Sequence, residues 1–73
     1  MKLKVNRAIW DELGLDNPQN MRIARAYFYL GFGIHATKRA IDLGVNHAEV
    51  MSYLDIATSC GLNFDDYIID LGA

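Results

Sequence analysis

Over most of this chain the apolar positions recur three and four residues apart, the spacing that lines one face of an α-helix. Val5, Ile9 and Leu13 form one such stripe. Met21, Ala24 and Phe28, with Ile23, Tyr27 and Leu30, cover two adjacent faces of a second segment, leaving Arg22, Arg25 and Tyr29 to the remainder. A helix so broadly apolar belongs at the centre of a domain. Val50, Leu54 and Ala57, with Tyr53, Ile56 and Cys60, line another segment, and Phe64, Tyr67, Ile68 and Leu71 line the last. Asp65 and Asp66 suit the first turn of that last helix, because carboxylates stabilise a helix start. The pattern predicts five helices, at about 7–13, 18–30, 35–43, 47–60 and 64–71. Residues 2–5 differ: Leu3 and Val5 alternate with Lys2 and Lys4, the period of a short edge strand or arm.

The punctuation between these segments repeats. Gly14-Leu15-Asp16, Gly44-Val45-Asn46 and Gly61-Leu62-Asn63 can each end a helix with glycine, tuck an apolar residue against the preceding turn and offer an Asx residue to the next start. Their spacings differ, so they do not mark a solenoid. Pro18 after Asn17 suits the first position of the second helix.

Within residues 37–54, TKRAIDLGVNHAEVMSYL, Ala40 is small enough for two helices to approach closely, and Gly44, four residues on, suits a left-handed turn. Leu43 and Val45 flank that glycine as apolar anchors. Val50 follows on the next helix, and Asn46 with Glu49 forms a capping-box-like start. The segment resembles the helix-turn-helix superfamily. The expected fold is all-α: a single domain over residues 1–73, a small bundle of about five short helices with a helix-turn-helix-like core and a short N-terminal strand or arm.

Seventy-three residues make a small domain that buries only about 60% of the surface its unfolded chain exposes, and 52% of them are hydrophobic. Some apolar surface is therefore expected to meet another chain, most simply as a homodimer. No span reaches the roughly 20 apolar residues of a membrane helix, and MKLKV is not followed by a signal-peptide core. The single Cys rules out an internal disulfide, so a cytoplasmic location is expected.

Charge changes the picture more than composition does. Residues 1–39 hold all seven Lys and Arg against three acidic residues, a net +4. Residues 40–73 hold Asp42, Glu49, Asp55, Asp65, Asp66 and Asp70 and no Lys or Arg, a net −6. Either these are two solvated faces, or the halves attract each other between subunits or meet a charged partner.

Candidate chemistry is sparse. His35 and His47 are not spaced for one helix face, Cys60 has no second thiol, and no metal or cofactor site is indicated. Cys60 and His47 lie on one predicted helix, some 20 Å apart at 1.5 Å per residue, too far for a nucleophilic pair. Asp65 and Asp66 are adjacent and point in different directions, unsuited to paired acid–base work. The run Tyr27-Phe28-Tyr29 with Gly31-Phe32-Gly33 reads as a core helix ending in a glycine-rich turn in preference to a base-stacking platform, and it lacks the features of a phosphate loop. No enzymatic activity is indicated.

Two function classes remain. The helix-turn-helix resemblance implies a DNA-binding regulator, with Asn46, His47, Ala48, Met51 and Ser52 facing bases and Lys38 and Arg39 on phosphates. Against it, residues 46–60 carry Glu49 and Asp55 and no cation, whereas affinity for DNA comes mostly from cationic contacts. The favoured reading is a small regulatory or adaptor protein that binds itself or a basic protein through an acidic, apolar-rich face bearing Glu49, Asp55, Asp65 and Asp66.

Overall fold

The computed structural model describes residues 2–44 and 48–72, apart from the side chains of Glu49, Val50, Tyr53 and Asp65. The elements in chain order are β1 (Lys2–Val5), α1 (Arg7–Leu13), α2 (Pro18–Tyr29), α3 (Ile34–Leu43), α4 (Ala48–Ser59), a 3-10 turn (Phe64–Asp66) and β2 (Ile68–Leu71). The chain is mostly helical, and its first and last elements are strands that pair with each other in parallel. Lys2 stands beside Ile68, Leu3 beside Ile69, Lys4 beside Asp70 and Val5 beside Leu71. Parallel neighbours need a long crossover connection, and here the four helices supply it.

This arrangement corrects the expectation of an all-α fold. The short N-terminal strand exists, whereas residues 64–71 form a 3-10 turn and a strand in place of a fifth helix. On a helix, Phe64, Tyr67, Ile68 and Leu71 would share the core face. On the strand it is Ile69 that is buried, at 3% exposure, while Ile68 and Leu71 stand at 45% and 44%. Two adjacent β-branched residues after a tyrosine favour the pleated conformation once Leu3 and Val5 offer a partner.

Side chains and glycines set the helix ends. Asn6 caps α1 by accepting from the Ile9 amide at 2.9 Å, and Asn17 caps α2 by accepting from the Gln19 and Asn20 amides. The amides of Leu15, Phe32 and Leu62 each reach back to the carbonyl five residues earlier, on Trp10, Tyr27 and Ala57. The amides of Gly14, Gly31 and Gly61 bond to Asp11, Phe28 and Thr58, which completes three Schellman endings. The second carries its characteristic apolar contact, the rings of Tyr27 and Phe32 lying 5.0 Å apart between centroids. This matches the reading of Gly31-Phe32-Gly33 as the end of a core helix.

Gly44 departs from the expected left-handed turn. Its φ is 78° but its ψ is 169°, an extended conformation that essentially only glycine adopts. Its amide is shared between the carbonyls of Ala40 and Ile41, both at 3.1 Å, and the chain leaves α3 extended.

The core is two clusters joined by shared residues. One holds Ile23, Ala26 and Tyr27 of α2, Ala40 of α3, Leu54 and Ala57 of α4, and Phe64. The other holds Val5, Leu13, Leu15, Ala24, Tyr67 and Ile69, covering the inner face of the sheet. Tyr29 and Ile41 pack against both. Expected on the open side of α2, Tyr29 instead meets Phe64 at 5.7 Å and Tyr67 at 6.1 Å, edge to face.

Candidate interaction surface

α4 is held to the domain along one stripe. Leu54 and Ala57, three residues apart, are buried against α2, Ala40 and Phe64. The Thr58 hydroxyl donates to the Leu54 carbonyl at 2.8 Å, and the Schellman ending tucks Leu62 under the last turn. At 3.6 residues per turn, the opposite side of the helix carries Ser52, Asp55, Ile56 and Ser59, all exposed, with Met51 on its flank.

Ile56 is 60% exposed, more than any other large hydrophobic side chain among the described residues. The apolar pattern grouped it with Tyr53 and Cys60 as helix lining, but Ile56 and Cys60 both face outward. Two adjacent apolar stripes were available on α4, and a domain this small buries the one through Leu54 and Ala57. Periodicity alone could not choose between them.

Of the residues expected on an acidic face, Asp55 and Asp66 stand on different elements. Asp55 lies on the outer side of α4 beside Ile56, whereas the exposed Asp66 sits at the end of the 3-10 turn whose Phe64 enters the core. The side chains of Glu49 and Asp65 lie outside the described residues.

The described residues expected at DNA stand on two helices, Lys38 and Arg39 on α3 and Ser52 on α4. Asn46 and His47 lie outside the described residues. Ser52 shares the outer face of α4 with Asp55 and Ile56. The Lys38 ammonium is taken by Asp42 at 2.8 Å, while Arg39 is exposed with no acidic partner among the described residues. Among the described residues, three of the seven cations are paired within the chain, Lys2 with Asp70, Arg7 with Asp11 and Lys38 with Asp42. The rest are dispersed: Lys4 on β1, Arg22 and Arg25 on α2, and Arg39 on α3. Arg25 is half-buried, with its Nε out of solvent and without an acceptor among the described residues.

Among the described residues no group of three His, Cys, Asp or Glu side chains is placed to hold a metal ion, and no helix is long and apolar enough to cross a membrane. Compared with known proteins, the chain matches no family model, no curated protein and no solved structure.

Proposed function

We propose that this chain is a small non-catalytic adaptor or regulatory module that works through protein–protein contacts of the outer face of α4, and that its partner presents basic and apolar side chains. The observation that carries this reading is Ile56, 60% exposed beside Asp55 on the side of α4 opposite its core stripe. An isoleucine left in water forgoes about 1.5–3 kcal/mol of burial, which a partner surface can recover. Asp55 supplies charge that favours a basic neighbour and repels phosphate.

The order α3, Gly44, α4 is that of a helix-turn-helix unit, in which α4 would be the helix presented to DNA. Its outward side chains make a poor groove reader, since α4 contains no Lys or Arg and Lys38 is engaged by Asp42. The same scaffold with a protein partner removes that conflict.

A fluorescence-anisotropy titration of the full chain against a labelled amphipathic Lys/Leu helical peptide tests the reading. Binding should weaken in Ile56→Ala and in Asp55→Lys, the latter also losing its salt dependence. Equal binding by wild type and both variants would overturn it.

A further inference from the structure

Each strand of a two-stranded sheet leaves one edge unpaired, and the two edges of this sheet differ. The Gly72 amide donates to the Val5 carbonyl at 2.6 Å, so Gly72 directs its N–H toward β1. Main-chain groups alternate in direction along a strand, so those of Ile68 and Asp70 face β1 while those of Ile69 and Leu71 face away. By the same alternation β1 turns the main-chain groups of Lys2 and Lys4 outward. Among the described residues, no main-chain hydrogen bond within the chain takes up the outward groups of either strand.

Charge decides which edge can be covered. Two β1 edges brought together would oppose lysine to lysine, and exposed lysines are a common means of keeping an edge solitary. β2 has no such protection. It exposes Ile68 and Leu71, and its only charge, Asp70, is neutralised by Lys2 at 3.0 Å. Pairing β1 of one copy with β2 of the next is heterologous and leaves free edges at both ends of the assembly, whereas β2 on β2 closes with two-fold symmetry.

We propose that β2 pairs antiparallel with β2 of a second copy about a two-fold axis at Ile69, joining the two sheets into one of four strands. In this register Ile69 and the partner's Ile69 exchange main-chain hydrogen bonds, and the Leu71 N–H adds one on either side by donating to the carbonyl of the partner's Tyr67, the Tyr67 N–H being taken by Phe64. Ile68 lies across from the partner's Asp70, and the lysines stay at the outer edges. A two-fold at Asp70 would set carboxylate against carboxylate. This surface is separate from the outer face of α4, so dimerisation and partner binding can be tested apart.

Sedimentation velocity of the full chain across micromolar concentrations should show a dimer that dissociates on dilution. Ile68→Glu should weaken it about tenfold or more, because it sets a carboxylate directly across from the partner's Asp70 in both symmetry-related pairs. Leu71→Pro should act likewise, because it removes an outward N–H and leaves the bonds to β1 intact. Ile56→Lys on α4 should leave the dimer unchanged. Far-UV circular dichroism checks that each variant folds, and if Leu71→Pro does not, Ile68→Glu decides alone. A monomer at every concentration would overturn the proposal, as would a dimer that ignores Ile68→Glu but is lost in Ile56→Lys.

Discussion

The Lys2 ammonium lies 3.0 Å from the Asp70 carboxylate, one strand apart across the parallel pair that ends the chain at both sides. It joins the basic first half of the sequence to the acidic second half within a single molecule. Part of the charge division that suggested attraction between subunits is thus satisfied internally.

The pair is exposed, its side chains at 58% and 41%, so its worth is small. Lys2→Glu should cost less than about 1 kcal/mol, and Lys2→Glu with Asp70→Lys should regain most of that. Urea denaturation of the two single variants and the double variant measures the coupling. A loss of several kcal/mol, or no recovery in the double variant, would show that the strands are held differently.

Tyr29 touches both core clusters through Phe64 and Tyr67. Tyr29→Ala should destabilise the fold by about 2–4 kcal/mol, large for a half-buried residue, because it removes two ring contacts and leaves a gap between the clusters. A change below about 1 kcal/mol in chemical denaturation would mean the clusters are coupled by Ile41 alone.

At Gly44 the backbone sits where a Cβ is strained whatever the surrounding space, and no described residue beyond its chain neighbours lies within 4 Å of a Cβ built there. Gly44→Val should therefore cost about 1–3 kcal/mol through the backbone alone. A neutral result in the same assay would remove the extended turn from the account.

Gly33 begins α3 at φ −81° and ψ 178°, ordinary cap geometry, yet supplies no side-chain acceptor. With no described residue beyond its chain neighbours within 4 Å of its Cβ position, Gly33→Ser should stabilise by about 0.5–1 kcal/mol by adding a cap and stiffening the unfolded chain. A lower denaturation midpoint in Gly33→Ser would contradict this.

α2 and α4 were legible because an apolar stripe, a start signal and a glycine ending agree, whereas α1 rested on a stripe and a glycine ending and α3 on the Gly44 ending alone. α1 was predicted over the residues it occupies, and α2, α3 and α4 shift by one residue at one or both ends. β2 was not legible. Its apolar positions satisfy a helical period, and only Leu3 and Val5, more than sixty residues away, make the strand preferable. The surface on α4 was half legible: Asp55 was read correctly as exposed, while Ile56 was assigned to the lining because two stripes were equally apolar. Local sequence cannot rank two such stripes; the shape of the core does.

The central claim, that the outer face of α4 meets protein and not nucleic acid, is tested most directly by Asp55→Lys in two titrations of the full chain, one with the Lys/Leu helical peptide and one with a labelled random duplex at low salt. The account predicts opposite signs: weaker peptide binding, because attraction becomes repulsion, and stronger duplex binding, because a charge opposed to phosphate is replaced by a cation. Tight, salt-dependent duplex binding by the unaltered chain, lost in Arg39→Glu and accompanied by no peptide binding, would contradict it.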